Sequence, residues 1–424
     1  LADKHLLLLL DNFEQVADAA PLVSDLLASA PKLSIVVTSR APLRAYGERE
    51  YPLEPLPLPA VGETSAEALA HSDAVTLFVE RARAVVPSFA LSAEQAAAVA
   101  EIVTRLDGLP LAIELAAART KLLPPKALLT RLVGRLDALQ GGLRGVPARH
   151  QTLRAAIDWS YDLLDIESQR SFARFGVFAG GGEPEEAELV CASGDDIVER
   201  LATLIDESLL KRMERNGEPR FVMLETIREF ALERLRESDE ENAVLGRHAR
   251  AFLALVERAE PYLTGPEPKP WLDRLDAEHE NLAAALNHAA EVGDASTSLR
   301  FVAALWRYWQ MRGHLSEGRE HTTRALALPG AEDRPGELAR ALEAAGGVCY
   351  WQGDFEAARG FYERALGEQR LHGNAVDVAN ALYNLSFTYS VTRADPVAAR
   401  RYVKESLALY RDADDPSGTA KALF

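Results

Sequence analysis

Two polar residues near the start of the chain follow short apolar runs, and their chemistry suits a phosphate and its metal ion. Asp11 comes directly after the run Leu6–Leu10, and Arg40 follows the second run, Leu33–Thr38. A carboxylate can hold Mg²⁺ through water, because Mg²⁺ takes one or two carboxylates and keeps several waters. A guanidinium stays charged and can donate two hydrogen bonds to phosphate oxygens. The pair therefore suggests a nucleotide-phosphate site.

The elements that must position these residues read as strand, helix and strand. Two apolar runs separated by a helix, expected from about Val16 to Ser29, are typical of parallel strands covered on both faces. The carboxyl ends of such strands are where α/β folds bind ligands. Two alternatives stay open at this point. Asp11 can be a turn residue at the end of a strand, and Arg40 can be a surface residue that caps the next turn.

Composition restricts the class of protein. A chain of 424 residues predicts two to four domains, and its net charge of −17 disfavours a broad nucleic-acid or membrane surface. Two cysteines exclude a disulfide framework and a thiolate metal centre, and they favour a reducing, cytoplasmic location. No apolar run approaches the roughly 18 residues of a membrane span. The nine histidines show no ligand spacing, which predicts no histidine-based metal site.

Helical periodicity begins near Asp73, after a proline-rich connector at residues 52–59. Further on, Asn216-Gly217 separates two short apolar runs, a pattern that predicts a β-hairpin. The predicted strands are Leu209–Glu214 and Arg220–Leu224. Helices on both sides of this hairpin predict a winged-helix module. Acidic residues around its presumed recognition region disfavour DNA contact.

The last third of the chain carries a helical repeat. Gly313–Leu326 aligns with Gly353–Leu366 at an offset of 40 residues, and each copy has a turn glycine and an apolar or small pair on its second helix. The pattern resembles tetratricopeptide repeats, which stack into a protein-binding solenoid. Aromatic residues of the first helices are expected in the core, and they are Trp306, Tyr308, Trp309, Tyr350 and Trp351.

A basic segment interrupts this acidic chain between Arg119 and Arg154. It holds eight arginines and lysines against a single acid, Asp137. One interpretation is a solvated face and linker. The other is an electrostatic dock for the acidic repeats in a closed resting state, which would involve Arg144 and Arg149.

The motifs, in their order along the chain, resemble the signal-transduction ATPases of the STAND class, which are NB-ARC-like. More narrowly, the chain is similar to bacterial LuxR-type and antibiotic-regulatory transcriptional regulators that join such an ATPase to helical repeats. The resemblance covers essentially the whole chain and depends on five motifs before or within the repeats. They are Leu-Leu-Leu-Asp-Asn, Val-Val-Thr-Ser-Arg, Gly108-Leu-Pro-Leu-Ala112, Met223-Leu-Glu-Thr-Ile-Arg-Glu-Phe-Ala231 and the repeats themselves.

The resemblance implies roles for three residues. Asp11 would be the Walker B acid that holds Mg²⁺ through water, and Arg40 would face the terminal phosphate of ATP. Pro110 would pack near the adenine of ATP or ADP. Leu224 stands where relatives carry a histidine that touches the β-phosphate, so that contact is not expected here. Asn12 stands where many relatives carry a second acid, which predicts a slow ATPase at most.

The sequence departs from the family in one further respect. No Gly-x-x-x-x-Gly-Lys-Ser/Thr loop occurs in it. We expect that this phosphate-binding loop lies upstream in a longer protein, of which the chain is a fragment, and that the chain alone is inactive. Loss of the loop is the alternative.

The sequence thus predicts a multidomain, mostly α protein with an edge of a parallel α/β NTPase sheet. The expected domains are a nucleotide-binding part (1–62), a helical domain (63–148), a winged helix (149–240) and tetratricopeptide-like repeats (241–424). The expected function is an ATP/ADP-dependent switch that regulates transcription and self-associates when active, with a protein or inducer bound at the repeats. We expect no direct nucleic-acid or membrane contact. The alternative is a nucleotide-independent scaffold with a vestigial ATPase portion.

Overall fold

The structure is a computed structural model of the chain. It describes residues 4–11, 13–39, 42–51, 53–60, 65–69, 71–106, 108–140, 154, 157–158, 160–191, 197–215, 217–392 and 395–423. The chain divides into two compact units, Leu1–Leu56 and Pro57–Phe424. Each unit is described by itself below.

The first unit contains a two-stranded parallel sheet and one helix. Strand β1 (Leu6–Leu10) pairs in parallel with β2 (Leu33–Val37), with Leu6 opposite Leu33. The connecting helix α1 spans Ala20–Ser29. It begins later than the predicted Val16, because Phe13–Ala19 forms a 3₁₀ segment in which Val16 has non-helical angles.

The faces of this sheet differ from the expectation of full coverage. Leu7 and Leu9 of β1 are 66% and 65% exposed, and Val36 of β2 is 49% exposed. Leu33 is buried, as are Val23 on α1 and Ala30 directly after it. One helix can cover only one face of a two-stranded sheet, so its other face carries exposed apolar side chains within this unit.

The second unit begins with short helices around an apolar core. Val75, Phe78, Val99, Ile102 and Ile113 are fully buried there. Their burial agrees with the helical periodicity that begins near Asp73, since residues three and four apart share a helix face. The helices are α2 (Ala66–Leu69), α3 (Asp73–Val85), α4 (Ala93–Arg105), α5 (Pro110–Ala118) and α6 (Pro125–Gln140), with a 3₁₀ turn at Arg119–Lys121.

In the winged-helix part, residues 160–191, 197–215 and 217–236 of the structure form three helices, a hairpin and a further helix. They are α7 (Ile166–Phe175), α8 (Pro184–Cys191), α9 (Ile197–Asp206), β3 (Lys211–Arg215), β4 (Glu218–Val222) and α10 (Glu225–Arg236). The predicted hairpin is present, and its strands start and end within about two residues of the predicted limits. Gly217 has a φ of +86° at the turn, a conformation that glycine adopts without strain.

Across residues 241–392 and 395–423, ten helices form the repeats. They are α11 (Glu241–Leu263), α12 (Lys269–Ala277), α13 (His279–Glu291), α14 (Ala295–Arg312), α15 (Leu315–Leu326), α16 (Pro335–Trp351), α17 (Phe355–His372), α18 (Ala375–Thr392), α19 (Pro396–Asp412) and α20 (Pro416–Leu423). The two aligned glycines, Gly313 and Gly353, have φ values of +82° and +83° at equivalent turns. Aspartates cap the helices that begin near residues 295, 355 and 396.

The predicted core role holds for two of the five aromatic residues of the repeats. Tyr308 and Trp309 are each 1% exposed, while Trp306 and Tyr350 are half-buried. Trp351, the last residue of α16, is 54% exposed, and the prediction is wrong there. The mostly α fold with a small parallel sheet is confirmed, whereas the domain limits stay a prediction. Among the described helices, none is long and apolar enough to cross a membrane.

Candidate functional site

Asp11 lies where the sequence predicted it, at the carboxyl end of β1. The parallel register continues past the strands, because the Thr38 N–H donates to the Leu10 carbonyl at 2.9 Å and the Phe13 N–H donates to the Thr38 carbonyl at 3.0 Å. This pairing brings the ends of both strands to one edge. The Thr38 hydroxyl donates a hydrogen bond to Asp11 Oδ1, and Asp11 is exposed. Its carboxylate is therefore oriented and open to solvent.

Two further residues discussed from the sequence lie outside the described residues. They are Arg40, the predicted phosphate-contacting arginine, and Asn12, the residue in place of a second acid. Their predicted roles stay predictions.

Pro110 starts helix α5 in the second unit. Gly108 has a φ of +66°, and the Leu109 N–H donates to the Leu106 carbonyl at 3.0 Å, which turns the chain sharply. Proline suits the first helical turn because it has no N–H that would need a partner. Pro110 is exposed, while Ala112 on the same helix is buried. Asp11 and Pro110 belong to different units, so each is described within its own unit.

Leu224 takes the position of the family's phosphate-contacting histidine. It is the residue before helix α10, with φ −63° and ψ 143°, and its carbonyl accepts from the Arg228 N–H at 2.8 Å. Its side chain is half-buried beside buried Met223. A leucine side chain has no polar atom, so this position offers no side-chain hydrogen bond to a phosphate.

Four described cations of the basic segment form ion pairs with acids that precede the repeats. Arg119 is buried and forms an ion pair with Glu207, directly after helix α9, and burial lowers the pKa of Arg119 to about 10. The other pairs are Lys121 with Asp206 at 2.9 Å, Lys126 with Glu94 at 3.3 Å and Arg154 with Glu233 at 2.6 Å. All four acids precede the repeats. These contacts favour a local role over a dock for the repeats, while Arg144 and Arg149 lie outside the described residues.

A buried ion pair joins the winged-helix hairpin to the first repeat helices. Arg220 on β4 is 4% exposed, and Glu278, between α12 and α13, is fully buried. The guanidinium donates from Nη1 to Glu278 Oε1 at 2.5 Å and from Nη2 to Oε2 at 3.1 Å. It also donates to the carbonyls of Gly180, Gly181 and Ala277. We call this pair and its partners the wing junction.

Further polar groups complete the wing junction. The Asn281 amide donates to the Gly181 carbonyl and to Glu278 Oε2, both at 2.8 Å. Its oxygen lies 3.3 Å from Nε2 of His248, whose buried ring has a pKa lowered to about 4 by burial. On the same side, Arg274 pairs with Glu186 at 2.6 Å and with Glu183. Sequence reasoning missed this site, since its members are up to about 100 residues apart and fit no local motif.

Glycine at position 181 permits the close approach of hairpin and loop. Gly181 has a φ of +86°, and an added Cβ would lie 2.3 Å from the Phe221 carbonyl oxygen. The next residue, Gly182, exchanges two 2.9 Å backbone hydrogen bonds with Phe221. This bridge joins β4 to the loop at Gly180 and Gly181, whose carbonyls accept hydrogen bonds from Arg220.

Comparisons with known proteins agree with this architecture. Family models match a winged helix-turn-helix domain at residues 164–236 and a tetratricopeptide repeat at residues 337–412. The chain carries a winged helix followed by tetratricopeptide repeats. Over its whole length it is 31% identical to proteins named as HTH-type transcriptional regulators in Mycobacterium bovis and Mycobacterium tuberculosis. These matches confirm the predicted resemblance to bacterial transcriptional regulators that carry a winged helix and helical repeats.

The chain spans 43% of the length of these mycobacterial regulators. An uncharacterized Mycobacterium tuberculosis protein is 37% identical over 254 residues, which are 58% of this chain and 62% of that protein. Among solved structures, a STAND protein with a tetratricopeptide repeat sensor from Pyrococcus horikoshii aligns with 99% of this chain and 70% of its own, at 14% identity and a TM-score of 0.36.

Proposed function

We propose that the chain is part of an ATP/ADP-dependent signal-transduction switch that regulates transcription. The observation that carries this proposal is the 31% identity, over the full chain, to proteins named as HTH-type transcriptional regulators. In this proposal, residues 1–62 belong to the nucleotide-binding part and residues 63–148 form the helical domain. Residues 149–240 form the winged helix, and residues 241–424 form the repeat sensor.

The proposed nucleotide site uses three residues. Asp11 holds Mg²⁺ through water, Arg40 contacts the terminal phosphate, and Pro110 packs near the adenine. The chemistry of Asp11 fits the ion, because it is a single exposed carboxylate whose Oδ1 is fixed by Thr38, and Mg²⁺ prefers few carboxylates and several waters. When bound, Mg²⁺ would neutralise phosphate charge. With Asn12 in place of a second acid, turnover is slow at most.

The wing junction would transmit the signal. Arg220 and Glu278 are both buried and hydrogen-bonded on several sides, so we propose that the winged helix and the first repeat helices move together. A ligand that changes the position of the repeats would therefore carry the winged helix with it. Nucleotide state and inducer would then bias one conformational equilibrium.

The repeats are the proposed surface for a protein partner or inducer, and the active state is proposed to self-associate. Tetratricopeptide repeats stack into extended concave binding surfaces, which supports protein interaction. Direct DNA contact by the winged helix is disfavoured, since helix α9 carries Glu199 and Asp206 and its Arg200 pairs with Asp165 at 3.2 Å. The output to DNA would come from another part of the protein, acting in the cytoplasm and away from membranes.

A nucleotide-independent scaffold is the second candidate. In that case the repeats would be the working surface and the ATPase portion would be vestigial. The absence of a phosphate-binding loop motif from the 424 residues favours it.

Released nucleotide distinguishes the two candidates. The full-length gene product is purified without added nucleotide and denatured, and the supernatant is resolved by ion-exchange chromatography. We expect about one equivalent of ADP from the full-length protein, with the 424-residue chain as a control that releases none. A full-length protein that is empty and takes up no ATP with Mg²⁺ would establish the scaffold instead.

A further inference from the structure

Two imidazoles and one carboxylate converge at the start of the repeats. They belong to His279, His314 and Glu317, all half-buried, and one ligand atom from each lies within 4.8 Å of the others. We propose that these three residues bind a divalent transition-metal ion of the Zn²⁺ class. Imidazole and carboxylate ligands suit such an ion, whereas Mg²⁺ and Ca²⁺ prefer oxygen ligands alone.

The fold brings these residues together across a gap of 35 residues in the sequence. His279 is the first residue of α13, and His314 directly precedes α15. The left-handed turn at Gly313 directs the chain back, so that the His314 N–H donates to the Trp309 carbonyl at 2.9 Å. The rings of His279 and His314 stack with centroids 4.8 Å apart, and Glu317 follows in the first turn of α15.

A hydrogen bond orients the His279 ring. The Tyr308 hydroxyl oxygen lies 3.2 Å from Nδ1 of His279. In the tautomer that carries its proton on Nδ1, this nitrogen donates to the tyrosine oxygen and the lone pair of the ring is on Nε2. Metal-binding histidines are held in this way, with the second nitrogen donating to a fixed acceptor.

A carboxylate faces Nε2 of His279. Nε2 lies 3.4 Å from Glu317 Oε2. In the tautomer with the proton on Nδ1, Nε2 and the carboxylate oxygen both offer lone pairs, and a metal ion between them would accept both. The other carboxylate oxygen lies 3.9 Å from Nε2 of His321, whose ring stacks on Trp309. The carboxylate is therefore surrounded by imidazoles on both sides.

The spacing fits a tetrahedral ion after a small adjustment. Bonds of about 2.05 Å place tetrahedral ligand atoms about 3.4 Å apart. His279 and Glu317 already have this separation. Since every pair lies within 4.8 Å, the ligand atom of His314 needs to move by at most about 1.5 Å, which a half-buried side chain can do by rotation. The fourth position is open to water or to a ligand from a partner.

The site adjoins the wing junction. His279 directly follows Glu278, the residue that binds Arg220. A metal ion would link the start of α13 to the start of α15. It would thereby restrict motion at the start of α13, next to Glu278, which pairs with Arg220 of the winged helix. This inference does not depend on nucleotide binding by the chain.

Metal titration tests the site on the whole 424-residue chain. Chelator-treated protein is titrated with ZnCl₂ by calorimetry, and CoCl₂ binding is followed by absorption, because tetrahedral Co²⁺ gives intense visible bands. We expect one equivalent with a micromolar or lower Kd. His279→Ala, His314→Ala and Glu317→Gln should each weaken binding at least about 100-fold, and Tyr308→Phe about 10-fold. His288→Ala, a half-buried histidine on the same helix, should change it less than about twofold.

Two results would overturn the proposal. One is the lack of saturable Zn²⁺ binding in the wild-type chain, or Co²⁺ spectra of an octahedral ion. The other is equal affinity in wild type, His314→Ala and Glu317→Gln, which would place the metal on other histidines. Circular dichroism checks that each variant is folded. If His279→Ala does not fold, Glu317→Gln decides. The Glu317 side chain is 28% exposed, and glutamine replaces its charge at nearly unchanged size.

Discussion

The winged helix is held differently on its two sides. Towards the repeats, Arg220 and Glu278 are 4% and 0% exposed and share their hydrogen bonds with Asn281 and three carbonyls. Towards the helical domain, Arg119 is buried but its partner Glu207 is 21% exposed, and Lys121 and Asp206 are 53% and 62% exposed. Solvated pairs contribute little to stability. We therefore expect a conformational change to separate the winged helix from the helical domain rather than from the repeats.

The largest effect is expected from breaking the wing junction. Arg220→Ala leaves Glu278 buried without its partner and should lower the free energy of unfolding by about 3–5 kcal/mol. Arg119→Ala should cost less, because water can reach Glu207. Urea denaturation followed by circular dichroism measures both.

Arg258→Ala is the matched control. It removes an arginine whose pair with Glu185 is exposed on both sides, so it should cost at most about 1 kcal/mol. Equal losses for Arg220→Ala and Arg119→Ala would contradict the difference between the two sides of the winged helix.

Two glycines with the same φ angle test how tightly the β3–β4 hairpin packs against the preceding loop. Gly181 and Gly217 both have a φ of +86°, but a Cβ at Gly181 would meet the Phe221 oxygen, whereas Gly217 faces open space. Gly217→Ala should cost about 1 kcal/mol from strain alone. Gly181→Ala should cost about 2–3 kcal/mol, since strain is added to displacement of the hairpin. Thermal denaturation of the two variants should show this order, and equal midpoints would show that the loop relaxes freely.

Acid should loosen the wing junction through His248. Burial lowers the pKa of this histidine from 6.5 to about 4. Between pH 6.5 and pH 4, His248 is therefore protonated in the unfolded chain and neutral in the folded chain. Stability should then be full above pH 6.5 and fall as the pH drops towards 4, by about 2 kcal/mol at pH 5. Denaturation at pH 7 and pH 5 measures the loss.

A glutamine retains an N–H donor for Asn281 but cannot titrate. His248→Gln should therefore remove this part of the pH dependence, while His372→Gln, at an exposed helix end, should retain it. An unchanged pH dependence in His248→Gln would assign the loss to other groups.

The sequence predicted local elements well and long-range contacts poorly. Strand β1, the Asn216-Gly217 hairpin and the repeat turns at Gly313 and Gly353 each depend on neighbouring residues, so pattern alone located them. The start of α1 was placed too early, because a 3₁₀ segment has nearly the same apolar spacing as an α-helix.

The wing junction could not be predicted in this way. From sequence alone, an arginine or a glutamate is expected at the surface. Such residues are buried only where an opposite charge and hydrogen-bond partners offset the loss of water, and a sequence does not show those partners. The histidine cluster is similar. His279 and His314 show no ligand spacing along the chain, and only the packing of α13 beside α15 brings them together.

The smallest effect on stability is expected at Asp11, and it gives the clearest contrast with the wing junction. Asp11 is exposed and its contact within the first unit is a hydrogen bond from Thr38, so Asp11→Asn should leave the unfolding midpoint of the full-length protein unchanged. The proposed function nevertheless requires this carboxylate for Mg²⁺. We expect Asp11→Asn to lose Mg²⁺-dependent ATP uptake, measured by equilibrium dialysis. Thr38→Val, which removes the orienting hydroxyl and retains the carboxylate, should weaken uptake less. If Asp11→Asn takes up ATP as the wild type does, the carboxylate is a turn residue and its place at the sheet edge has no part in nucleotide binding.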